Sequence, residues 1–106
     1  MKHYEEYNCN DWDGYGAEPI TAETLRAARA FQRLLPMDVD VAPCGDGTIG
    51  FEWRSGSPDN QTLTLVDIGP GDRVAAKRVA SDGRIHRFPQ TMLGTGARDL
   101  VAQLLL

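Results

Sequence analysis

Residues 46–54 read Asp46-Gly47-Thr48-Ile49-Gly50-Phe51-Glu52-Trp53-Arg54. Asp-Gly ahead of an alternating run is a hairpin signal. Ile49, Phe51 and Trp53 fall on one side of the strand, and Gly50, Glu52 and Arg54 on the other. Downstream, Ser55 to Asn60 has loop composition. Gln61 to Ile68 is a second strand, on which Leu63 and Leu65 are assigned to the core face and Thr62, Thr64 and Val66 to the other. Gly69-Pro70-Gly71-Asp72 is a turn. Arg73 to Ala80 is a third strand and Ser81-Asp82-Gly83-Arg84 a further turn. Ile85 to Phe88 is a short fourth strand, and the even spacing predicts an antiparallel meander. At the end, Ala97, Leu100, Val101, Leu104 and Leu105 recur at helical spacing behind a cap at Thr95 or Gly96.

Upstream of this run the period is again helical. Thr21 is the expected N-cap, with Glu23 in the first turn. Ile20 and Leu25 are placed for a hydrophobic staple. Thr24, Ala27, Ala28, Phe31, Leu34 and Leu35 make one apolar face, and Pro36 ends the helix. Arg26, Arg29 and Arg33 form a stripe on another face. Val39-Asp40-Val41 alternates and opens a strand before the turn Cys44-Gly45-Asp46-Gly47. The fold class is therefore α+β: an antiparallel meander sheet of four to five strands, packed on one face by two helices. Ile49, Phe51, Trp53, Leu63 and Leu65 are expected to line the covered face. Glu52, Arg54, Thr62, Thr64 and Lys77 are expected to meet water.

Ahead of the first helix lies Asn10-Asp11-Trp12-Asp13-Gly14-Tyr15-Gly16-Ala17-Glu18-Pro19-Ile20. Trp12 and Tyr15 are expected to pack down, while Gly14 and Gly16 let the chain turn. Residues 1–9 read as a weakly attached arm, and the 106 residues as one domain. The net charge of −4 resides in residues 1–20, where Glu5, Glu6, Asp11, Asp13 and Glu18 face one lysine. The remainder is neutral, without the basic surplus of a general nucleic-acid binder. No run approaches the roughly 18 apolar residues of a membrane span. The polar N-terminus is unlike a signal peptide, so the expected location is cytoplasmic and Cys9 and Cys44 are expected as thiols.

Few residues suit catalysis. His3 and His86 have no nucleophile in a recognisable motif beside them. A zinc site from His3, Cys9, Cys44 and His86 would lack any close ligand pair. Asp11 and Asp13, projecting to one side of an extended segment near Glu18, could bind a cation or act as acid and base. The competing reading is that such side chains bond to turn amides beside glycine. The arginine stripe could grip phosphate or an acidic partner, or anchor the acidic N-terminal segment of its own chain. No glycine-rich segment fits a nucleotide-binding pattern.

The run Trp12-Asp13-Gly14-Tyr15-Gly16-Ala17-Glu18-Pro19-Ile20, followed by Leu34-Leu35-Pro36 and by 46–53, resembles a family of small uncharacterised proteins from bacteria and their phages. The resemblance implies a small stand-alone domain and carries over no activity. The reading is a non-enzymatic protein that binds another protein, without cofactor or metal. Trp12, Asp13, Tyr15, Glu18, Arg26, Arg29 and Arg33 are its contact residues, and the C-terminal helix its route to a homodimer. A metal-dependent hydrolase on Asp11, Asp13 and Glu18, or a weak nucleic-acid binder on the arginines, are the alternatives.

Overall fold

A computed structural model describes residues 1 and 3–106; Lys2, in the expected arm, lies outside the described residues. Strands β1 (Asp40–Pro43), β2 (Ile49–Ser57), β3 (Asn60–Gly69), β4 (Arg73–Val79) and β5 (Ile85–Arg87) follow one another across an antiparallel sheet. A sixth strand, β6 (Thr91–Met92), pairs with β4 beside β5. Helices α1 (Ala22–Gln32) and α2 (Ala97–Leu104) complete the α+β fold. The sixth strand was not expected because two residues carry no period. It exists because the return toward α2 passes Arg73 and Val74 closely enough to pair.

The α1 start follows the expectation. Thr21 Oγ1 accepts from Thr24 N at 3.1 Å, and Ile20 and Leu25 are both buried. Regular helix stops at Gln32, and Leu34 and Leu35 follow in a tighter turn, Leu35 still buried. Phe31 meets Phe51 of β2 with ring centroids 5.2 Å apart, at the contact between helix and sheet.

The strand β3 corrects the expected face. Residues Ser55–Ser57 continue β2 instead of forming a loop, and the reversal is confined to Pro58–Asp59, with Ser57 opposite Asn60. That turn sets Trp53 opposite Thr64, Phe51 opposite Val66 and Ile49 opposite Ile68. Directly opposed residues share a face, so Thr64, Val66 and Ile68 are buried under the helices. Leu63 and Leu65 lie half-buried on the open face, and Thr62 lies on the helix side. Both parities of 61–68 carry apolar residues, so the turn decides between them.

Helix α2 buries Ala97, Leu100, Val101 and Leu104 against the body, while Leu105 and Leu106 lie exposed beyond it. The expected membership of Leu105 in the apolar face fails because regular helix ends one residue earlier. Arg78 of β4 crosses to this end and donates from Nη2 to the carbonyls of Gln103 and Leu104 at 2.9 and 2.5 Å. A cation at the helix C-terminus satisfies orphan carbonyls and complements the dipole.

Two substitutions separate the faces. Ile68→Ala is expected to cost about 2–5 kcal/mol in urea unfolding, and Leu65→Ala about 1 kcal/mol or less. Thr64 Oγ1 is buried without a hydrogen-bond partner among the described residues. Thr64→Val should therefore stabilise the fold by about 1 kcal/mol, read as a raised melting temperature.

Candidate binding surface at the N-terminal loop

The acids ahead of α1 build the loop that carries them. Asp11 has φ of 58°, in the left-handed region that aspartate tolerates better than most residues. Its Oδ1 accepts from Gly16 N at 2.6 Å, and its backbone carbonyl accepts from Gly14 N at 3.1 Å. Asp13 Oδ1 accepts from Tyr15 N at 2.8 Å and Ala17 N at 3.2 Å. The segment is thus a turn, not the extended stretch that would project Asp11 and Asp13 side by side. A carboxylate oxygen of each is committed to backbone amides, as the turn reading requires. Gly14 and Gly16, with φ of 76° and 84°, supply the remaining left-handed positions.

The two aromatics part company. Trp12 is half-buried; its ring lies 4.8 Å from Tyr7, and its Nε1 donates to Glu18 O at 2.8 Å. Tyr7 in turn meets Tyr4 at 5.3 Å, and the Tyr4 hydroxyl donates to Val41 O of β1 at 3.1 Å. Partial burial, more than any other cause, pushes the Tyr4 hydroxyl above its ordinary pKa. Tyr15, expected to pack down, is 93% exposed. The run Gly14-Tyr15-Gly16 turns outward, and only Trp12 finds an aromatic platform beneath it.

The loop is tied at its C-terminal end. Glu18 N donates to Gly45 O of the β1–β2 turn at 2.8 Å, and Ile20 N to Tyr7 O at 2.9 Å. Asp13 and Glu18 remain exposed.

The arginine stripe divides. Arg29 Nη2 donates to Glu5 Oε1 at 2.7 Å and to Met1 O at 3.2 Å, so it anchors the acidic segment of its own chain. Arg29, chiefly through this hydrogen bond, holds the Glu5 carboxyl below its ordinary value of 4.5. A lowered carboxyl pKa makes the tie fully effective above that value and loses it as the pH falls through the lowered one. Arg26 and Arg33 stay exposed and, with Arg29, Glu5 and Asn8, line a hollow of about 440 Å³. No residue of 12–18 lines it.

The other candidates are scattered. His86 sits on β5 opposite Arg78, its ring edge-on to Phe88 at 4.6 Å. Cys9 and Cys44 are free thiols. Among the described residues, no group of three or more His, Cys, Asp and Glu side chains lies close enough to hold a metal. Nor is any helix among them long and apolar enough to cross a membrane. Sequence reading missed Tyr4 and Tyr7 as the platform under Trp12, although aromatics three apart in a short helical turn would stack. It placed Glu52 and Lys77 on the open sheet face but not Asp40 and Arg87, which only the register aligns with them. A scan against protein-family models finds no match, and searches of curated proteins and of solved structures find none either.

Trp12→Ala is expected to lower stability by about 2 kcal/mol, and Tyr15→Ala to leave it within about 0.5 kcal/mol, in paired thermal melts. Burial, then the Asp67 and Asp46 carboxylates, push the Cys44 thiol above its ordinary pKa of 9.0, with Thr48 opposing. A thiolate is the reactive form. Iodoacetamide should therefore modify exposed Cys9 well before Cys44, as read by peptide mass mapping.

Proposed function

We propose that this protein acts by binding another protein through the 12–18 loop, with Tyr15 as the inserted anchor. One observation carries the reading: Tyr15 is 93% exposed on a loop whose backbone is held by carboxylate–amide bonds. An exposed tyrosine on a flexible loop would lose entropy on binding. A fixed backbone removes most of that cost, and a tyrosine side chain freezes few torsions. Asp13 and Glu18 flank it in the chain and are exposed, so the complementary surface is a basic-rimmed pocket that accepts an aromatic ring.

Together with the resemblance of the Trp-Asp-Gly-Tyr-Gly-Ala run, this favours a small regulator or inhibitor in a bacterial or phage setting. An anti-defence protein, an immunity protein and an antitoxin are the specific forms this reading takes. Arg26 and Arg33 provide a second, cationic contact, while Arg29 is already engaged by Glu5. Catalysis by Asp11, Asp13 and Glu18 gains no support, because Asp11 and Asp13 are occupied in folding the loop.

The test uses Tyr15→Ala, which leaves the platform of Trp12 untouched. Affinity capture from a bacterial host should recover a specific protein with the wild type. Titration of that purified protein should show a loss of about 2 kcal/mol or more with Tyr15→Ala, at unchanged melting temperature. Equal binding by both proteins would remove the loop from the interface.

A further inference from the structure

The sheet face turned away from the helices carries a sorted row of charges. Register places Asp40 opposite Glu52, Glu52 opposite Leu65, Leu65 opposite Lys77, and Lys77 opposite Arg87. Directly opposed residues share a face, so the row across the five strands reads acid, acid, leucine, base, base. Like charges directly opposite one another destabilise a sheet. This face holds two such pairs, one of each sign. Among the described residues the ion pairs are Arg29–Glu5 and Arg84–Asp82, so none of the four charges is bridged. Placing one acid beside one base would have relieved both pairs within the chain.

The neighbouring rows on the same face are largely apolar. One runs through Arg54, Leu63, Val79 and Ile85, and the other through Ala42, Gly50, Asp67 and Ala75. Leu65 and Asp67 stand between two hollows. The one of about 220 Å³ is walled by Asp40 and Glu52, and the one of about 250 Å³ by Lys77 and Arg87.

We propose that the open sheet face is a docking surface for a second copy of this chain, packed face to face about a two-fold axis parallel to the strands, over the seam between β3 and β4. An axis in that direction lays the acidic side of each copy over the basic side of the other. An axis across the strands would lay acid on acid. Over the β3–β4 seam it sets Glu52 against Arg87 of the second copy twice. It also lowers the Leu65–Asp67 ridge of each copy into the basic hollow of the other, and brings Leu63 against Val79. Two antiparallel sheets pack in this aligned manner about 10 Å apart.

The axis superposes four strands, β2 to β5, which at about 4.8 Å spacing make a strip roughly 20 Å wide, and the contact covers on the order of 500 Å² per copy. That is the size of a weak, reversible association rather than an obligate one. The surface is separate from the 12–18 loop, so neither proposal depends on the other.

Sedimentation equilibrium from about 10 to 500 µM at low salt should show a monomer–dimer equilibrium that weakens as salt rises. Glu52→Lys alone opposes two bases across the axis, and Arg87→Glu alone opposes two acids. Each should weaken self-association at least about tenfold, without lowering the melting temperature. Mixing the two single variants should restore a dimer, because both contacts of the mixed pair then join opposite charges. A merely structural effect of either substitution could not produce that rescue. A protein monomeric throughout the range would overturn the proposal. So would a dimer indifferent to both reversals but lost when Leu105 and Leu106 are removed, which would place the contact at the end of α2.

Discussion

The two-residue reversal at Pro58–Asp59 is the constraint on which the sheet depends. By setting Ser57 opposite Asn60 it assigns every residue of β2 and β3 to a face. A slip of one residue would send Val66 and Ile68 into solvent and bring Asp67 under the helices, where an unpaired carboxylate is costly. Gly56 belongs to the same device. Its φ is 96°, and a Cβ there would stand 2.6 Å from the Asn60 carbonyl oxygen. The tight turn therefore needs glycine at that position, and the long β2–β3 ladder follows from it.

Everything else is attached to that ladder by a small number of directional contacts. Phe31 seats α1 on Phe51. Arg78 reaches from the helix-side row of β4 to the carbonyl end of α2, and its guanidinium also lies 5.5 Å from the centre of the Phe88 ring. The N-terminal segment is joined through Arg29 to Glu5 and through Tyr4 to β1. Apart from the buried Phe31–Phe51 contact, these ties are polar and near the surface, so each adds modestly. Their combined effect is to orient elements that apolar burial alone would leave free to slide.

The elements with a strong period were legible. The cap, staple and apolar face of α1 could be read because each places a specific residue type at a fixed offset, and Ile49 and Phe51 are buried as their alternation required. The face of β3 was not legible, since Leu63 and Leu65 compete with Val66 and Ile68 and only the turn breaks the tie. Tyr15 was misjudged because an aromatic beside glycines reads as burial, whereas the left-handed turns at Gly14 and Gly16 carry its side chain outward. Asp11 and Asp13 had two readings in the sequence, and the hydrogen bonds to Gly16, Tyr15 and Ala17 select the structural one.

The β1–β2 turn stands between the two surfaces. Gly45 accepts from Glu18 N through its carbonyl, and its α-carbon faces Asp13 and Ala17 of the loop. One residue earlier, Cys44 lines the acidic hollow of the open face, its Sγ and the Asp67 carboxylate both close over Gly50. Gly47, buried with φ of 86°, lies against the Pro19 carbonyl and the Glu18 side chain. A shift of this turn would therefore move the root of the 12–18 loop and the acidic edge of the sheet together. Short hydrogen bonds at 2.8 Å, from Cys44 N to Thr48 O and from Glu18 N to Gly45 O, hold it in place. A rigid turn between them lets a ring presented on one side and a charged face on the other keep fixed relative positions. Binding at either surface then needs no rearrangement at the other, so the two associations are expected to be energetically independent rather than coupled.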